Sequence, residues 1–526
     1  MDPIATSRAR CIAQNWCVPL ACGVIALLRR SGGWDPASLW LDDQWVALAL
    51  REASFSQLVA LHIPAPLGFV ALQKLIAPLT RDPEWPLQLV PMLAGLAAIP
   101  VFYAVLGRVV RQRGVLAVAC LAAACHSTAE LYSVRVKHYT LDLLLVIALL
   151  GGTIALLHKP GAQRLGWLVL GSFVAAVFSF TTLFVSLCCL HALWLDRALR
   201  SRNAGLVYGA WVAGFDLAVA GLYAGLLCHQ SNDAMRAFWQ KYFLHFDSAD
   251  SVLAFAYHGL GGFALHALSP YLIVLLALVP IGVRALARDP VLRPLCWISG
   301  ALLVGLVAAA ALQLYPFGPE RTSLFAFPVP WLLAAVGGER VWAEIGSSRL
   351  QRHAARLVVL YVIGVSVLRP RVSYSDVRDR QVVEAAAHWQ RPGDVLLTHQ
   401  LGLLALSYYG QRPVRLVPSR NVTEAFEGRP DWPDLQLLVP PGGRGDLRSD
   451  PTLADATLQA LVAQAPPHIL YLSTHASETV DQHVLQRLTA AGYLPSNSYE
   501  PSPGARLIAL MPAADGGERI SRADAP

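Results

Sequence analysis

Two adjacent carboxylates stand in the run Leu39-Trp40-Leu41-Asp42-Asp43-Gln44-Trp45, wedged among aromatic and apolar residues. A carboxylate partly withdrawn from water gains basicity, so Asp42 and Asp43 suit general-base work or cation ligation. A helix N-terminal cap is the structural alternative, since aspartate favours that position. His62 follows in His62-Ile63-Pro64-Ala65-Pro66. The prolines there fix an extended turn before a helix, and the imidazole either contacts a phosphate or reaches to water. Positive charge then gathers in Glu130-Leu131-Tyr132-Ser133-Val134-Arg135-Val136-Lys137-His138-Tyr139-Thr140-Leu141-Asp142, and again at Arg321 in Leu314-Tyr315-Pro316-Phe317-Gly318-Pro319-Glu320-Arg321-Thr322. Lys137 and Arg321 suit charge-assisted hydrogen bonds to an anion such as phosphate. The bland alternatives are interfacial anchoring by Lys137 and Tyr139, and a simple Glu320–Arg321 pair. Asp216, inside an apolar run, is a further acid of the kind that faces a bundle interior.

The elements that position these residues are membrane spans. Of 526 residues, 55% are hydrophobic and only 15% charged, and mean hydropathy is +0.46. Soluble domains carry about 25% charged residues. Disorder, collagen and a disulfide scaffold are excluded by the same figures. Apolar runs near the ~20 residues a span needs fall at 13–28, 86–107, 114–131, 139–157, 165–180, 182–195, 206–228, 269–287, 295–314, 323–338 and 355–369. Fifteen basic residues lie in five loops of one parity, from Arg108 to Arg356. Lys and Arg accumulate on the cytoplasmic side. The expectation is therefore eleven transmembrane helices with a cytoplasmic N-terminus in a plasma (inner) membrane, and an extracytoplasmic, periplasmic tail. Residues 29–85 form the first outer loop, with Trp45–Leu50 and Leu67–Leu72 as surface helices.

Residues 371–526 carry 14 Arg, no Lys and 17 acids, a net charge of −3, which leaves +10 for residues 1–370. The basic residues of 1–370 sit between apolar runs rather than on one polar face, so nucleic acid is not an expected partner. Strands are expected at 395–399, 435–439, 469–473 and 506–511, and helices at 382–389, 457–465 and 480–491. This alternation gives a C-terminal soluble α/β domain at 371–526 behind a membrane domain at 1–370. No Gly-rich phosphate loop follows a strand, so no nucleotide cofactor is expected. All nine cysteines lie at or before Cys296, mostly in apolar stretches, and behave as small hydrophobes.

In their order along the chain these motifs resemble the GT-C superfamily of membrane glycosyltransferases. The resemblance is strongest to the bacterial branch related to protein mannosyltransferases and lipid A aminoarabinose or glycosyl transferases. It rests on Asp42-Asp43, His62 to Pro66, Asp82-Pro83-Glu84-Trp85, Tyr132-Ser133 through Lys137-His138-Tyr139, and Tyr315-Pro316-Phe317-Gly318 with Arg321, and covers roughly residues 35–335. Asp43 stands where Glu is commoner, Ala65 separates prolines often adjacent, and Lys137 replaces an Arg, keeping the charge without its forked geometry. The resemblance implies inverting transfer of a sugar from a polyprenyl-phosphate donor to an extracytoplasmic lipid, glycan or protein acceptor. It implies Asp42 as base, with Asp43 orienting it or sharing a divalent metal cation with it. Lys137 and Arg321 would hold the departing phosphate with help from His138 or Tyr139, and His62, Tyr315 and Glu320 would contact substrate. The rival reading is a transporter or flippase of lipid-linked saccharides. It is disfavoured because no internal repeat is evident and the charges gather on one face. A scaffold anchored by eleven spans ranks last.

Overall fold

The computed structural model describes residues 3–34, 38–79 apart from 62 and 64, 84–230, 232–344, 349–371, 377–419, 426–439, 447 and 449–513. His62, Pro64, Asp82 and Pro83 lie outside the described residues.

A helix covers each of the eleven expected apolar segments. By length and apolarity, however, five helices qualify as spans among the described residues, or up to seven if each bent pair counts once. Eleven crossings are therefore not established. Several of the other helices, such as Ala162–Phe178, are short, and the two bent pairs are Arg113–Ala124 with Ser127–Ser133 and Glu320–Ala326 with Pro328–Glu344. One qualifying helix, Ala249–Leu268, was expected to be loop. The chain reaches it from Tyr242, whose carbonyl accepts from Phe317 N, and leaves it past His266, which faces Glu320 at 3.7 Å. Both contacts are to the turn at residues 317–320.

Close helix contact in the bundle depends on small residues. Leu272–Arg288 and Pro328–Glu344 pack backbone to backbone, and a Cβ on Gly282 would lie 1.8 Å from the Leu333 carbonyl oxygen. Buried Glu130 pairs with Arg29 and Arg369 and so ties the first helix, the helix Ser127–Ser133 and the end of Arg349–Leu368 together. Asp216 faces His191 Nε2 at 3.4 Å, and both side chains are 41% exposed.

The acidic pair sits on Leu41–Glu52. Trp40 enters in an extended conformation, and Asp42 and Asp43 occupy the first turn, where negative charge complements the helix dipole. The cap position is therefore Trp40, and neither aspartate fills it. The helix stops at Ala53, and Ser54 with Gln57 forms a capping box that opens Phe55–Ala60. Leu67–Ile76 follows Pro66.

The C-terminal residues carry the strands β1 (Val395–Thr398), β2 (Val414–Pro418), β3 (Phe426–Pro430), β4 (Leu435–Leu437), β5 (Ile469–Thr474), β6 (Tyr493–Ser502) and β7 (Ala505–Pro512). Five form one sheet in the order β4-β1-β5-β7-β6. β4, β1 and β5 run parallel with Leu396 opposite Leu435 and Leu470, while β7 and β6 are antiparallel. β2 and β3 make a separate hairpin. The hairpin, β6, the helix Gln400–Tyr409 and the short 3-10 turn Pro451–Ala454 were not expected; the other elements were. One hydrophobic core joins Trp45, Leu48 and Leu58 of the first loop to Leu404, Val414 and Phe426 of the C-terminal region.

Candidate functional site

Asp42 and Asp43 are consecutive on a helix and so point in different directions. Asp42 is 22% exposed and paired with Arg321, whereas Asp43 is 1% exposed and lies 3.7 Å from Arg135 Nη1. Burial works against charge on Asp42. The positive field of Lys137 and Arg321, the Arg321 hydrogen bond and the charge of Arg135 outweigh it and hold the carboxyl below the usual carboxylate range. The guanidinium of Arg321 also stacks on Trp239, 4.7 Å from the ring centre, and lies 5.8 Å from that of Phe238.

Residues 134–138 form the bend between Ser127–Ser133 and Tyr139–His158, and the bend delivers Arg135, Lys137 and His138 to the acidic helix. His138 Nδ1 is 2.8 Å from Asp142 Oδ2, one helical turn on, which orients the ring. Tyr139 packs edge-on against Tyr132, whose hydroxyl donates to Glu320 Oε1 at 3.3 Å. The Tyr315 hydroxyl donates to the Thr322 carbonyl at 2.8 Å and closes the turn that presents Arg321; burial pushes that phenol well up. Lys137, His138 and Tyr139 line a narrow cleft. Trp45, Phe69 and Phe426 are on the other walls.

Asp42, Asp43, Lys137, His138, Tyr139, Glu320, Arg321 and the Tyr315 turn thus converge at one end of the bundle. His62 lies outside the described residues; its neighbours Ile63 and Ala65 line the cleft. Two participants were not singled out from sequence. Arg135 stands two residues before Lys137 in the same basic run, so its signal was present. Trp239 had none, because nothing local links it to Arg321.

A divalent cation fits this arrangement poorly. The two carboxylates diverge, each faces an arginine, and Lys137 adds a third positive charge. Among the described residues no group of three His, Cys, Asp or Glu side chains could hold a metal ion.

No known protein-family model matches the chain, and no curated protein matches its sequence. Solved structures do match. ArnT from Cupriavidus metallidurans bound to undecaprenyl phosphate aligns over 95% of this chain and 99% of its own, with a TM-score of 0.54 and 13% identity. ArnT from the same organism in the apo state aligns over 96% and 98%, with a TM-score of 0.51 and 13% identity. The archaeal oligosaccharyltransferase AglB from Archaeoglobus fulgidus covers 94% and 74%, at a TM-score of 0.47 and 12% identity. At these identities the ArnT alignments speak to architecture, and they extend from the membrane helices through the C-terminal strands. In its whole-chain architecture, therefore, this protein has the GT-C fold that its ordered motifs resemble.

Proposed function

We propose that the chain is an integral membrane glycosyltransferase that moves a sugar, with inversion, from a polyprenyl-phosphate donor to an acceptor hydroxyl. The observation that carries the reading is the convergence of one partly exposed carboxylate, Asp42, with the cations Arg321 and Lys137, the last of which also lines a mostly apolar cleft. The fold it shares with ArnT, which has been seen with undecaprenyl phosphate bound, agrees with a lipid-linked donor.

In the reaction the acceptor oxygen bonds to the anomeric carbon as the bond from that carbon to the phosphate oxygen breaks. The polyprenyl phosphate leaves as an anion, which needs positive charge rather than an acid. Lys137 and Arg321 supply that charge, and His138 or Tyr139 assists. Asp42 takes the hydroxyl proton from the opposite side of the sugar. Arg321 is paired with Asp42, which weakens the base. A phosphate that draws off the guanidinium restores basicity, so donor binding arms Asp42. Asp43, held at Arg135, fixes the helix that presents Asp42. Glu320, Tyr315 and His62 are assigned to substrate contact or to its immediate support.

Residues 1–370 are assigned as the catalytic membrane unit and 371–526 as an extracytoplasmic α/β unit, with the acidic-pair end facing outward from the cytoplasm. Asp42→Asn is expected to lower transfer by about 10²–10⁴-fold, as loss of a general base does, while membrane insertion is kept. Normal turnover by that variant removes Asp42 as the base.

A further inference from the structure

We infer that Asp379 and His475 are positioning residues for the acidic helix: the start of the helix Asp379–Trp389 and the end of β5 grip Leu41–Glu52 and set the direction in which Asp42 points.

Parallel sheets leave a crevice beyond the C-terminal ends of neighbouring strands whose connections diverge to opposite sides. Here those strands are β1 and β5. The chain leaves β1 toward β4 on one side, and leaves β5 toward β6 and β7 on the other. His475 follows β5 directly and packs on Trp40, with ring centres 5.2 Å apart. Its Nε2 is 2.9 Å from Asp379 Oδ2, and Gln44 Nε2 donates to the same oxygen at 2.5 Å. Gln44 also donates to the Leu39 carbonyl at 2.7 Å, so one side chain joins the start of the acidic helix to Asp379, the first residue of the helix Asp379–Trp389. Trp40, in turn, carries the Arg135 guanidinium 5.1 Å above its ring, and Arg135 faces Asp43. The far end of the helix is fixed as well: Arg51 donates to the Ser407 and Tyr408 carbonyls at 2.7 and 3.0 Å.

Two features mark this contact as more than packing. Asp379 is fully buried, yet its Oδ1, like Gln44 Oε1, has no hydrogen-bond partner among the described residues. A buried carboxylate with one oxygen unsatisfied is a poor way to gain stability. His475 also holds a left-handed backbone, φ 58°, which non-glycine residues seldom adopt. Strain and incomplete satisfaction of this kind gather where geometry matters more than stability.

The test uses the full chain in detergent or nanodiscs, with Gln44→Leu and His475→Ala. Hydrogen exchange of residues 41–52 is expected to quicken about ten-fold in each, the size of one lost charge-assisted hydrogen bond, while β1 and β5 keep their protection. Should His475→Ala unfold the sheet, Gln44→Leu decides alone, because it leaves every contact within the sheet in place. Unchanged protection of 41–52 in Gln44→Leu, or a loss spread evenly through sheet and bundle, overturns the inference. The kinetic arm rests on the proposed transfer reaction. There kcat is expected to fall about 100-fold, as for a misplaced reacting group, with the Kd for a polyprenyl phosphate unchanged. A weakened Kd with normal kcat also overturns it. If the wild type transfers no sugar at all, the proposed reaction fails, and the exchange result still decides whether the clamp exists.

Discussion

At the scale of single residues the site is a balance between one carboxylate and three cations. Asp42 was legible as chemistry because an acid in an apolar run is costly unless something pairs with it. Its partner was not legible, because Arg321 lies 279 residues away and only the fold brings the two together. The pair has a pH consequence. The Asp42 carboxyl is depressed below its ordinary 3.8, so its pairing stabilises the protein above that value and is lost as pH falls through the depressed one. Arg321→Ala removes a large part of the opposing field and leaves burial to act. The acid limb of the pH–rate profile, measured on residual turnover, is therefore expected to move to higher pH. An unmoved limb would show that Arg321 does not govern Asp42.

At the scale of elements, expectation and structure agree where a segment carries its own pattern and part where it does not. The strands at β1, β5 and β7 were readable as short apolar runs between turn residues. β6 was not: it is an edge strand paired only to β7, largely exposed, and interrupted by Pro495 and Pro501. Gln400–Tyr409 escaped for the opposite reason, since Leu403, Leu404, Ala405 and Leu406 are all buried and leave no polar face to give a helical period. Ala249–Leu268 was missed because its apolar residues are broken by Gly and His. Helix contacts offer a direct check. Gly282→Val places methyl groups where the Leu333 carbonyl already stands, so we expect a loss of about 3 kcal/mol and a lower melting temperature in detergent. A variant as stable as the wild type would contradict the backbone contact between Leu272–Arg288 and Pro328–Glu344.

At the scale of the whole molecule, the charge asymmetry between residues 1–370 and 371–526 marked two kinds of chain, but not that they share a core. Leu404, Val414 and Phe426 pack with Trp45 and Leu48, so the tail completes the first loop instead of hanging from it. Deleting 371–526 is accordingly expected to abolish transfer and to expose the 41–52 helix to protease, whereas a tail used only to choose acceptors would leave donor turnover intact. Sugar transfer is tested by incubating the purified full-length protein with a panel of polyprenyl-phosphate sugars and measuring release of polyprenyl phosphate alongside glycosylated acceptor. Release is expected from at least one donor with the wild type, and about 10²–10⁴-fold more slowly with Asp42→Asn. Equal release by both proteins, or no release from any donor by a folded wild type, would contradict the proposed reaction.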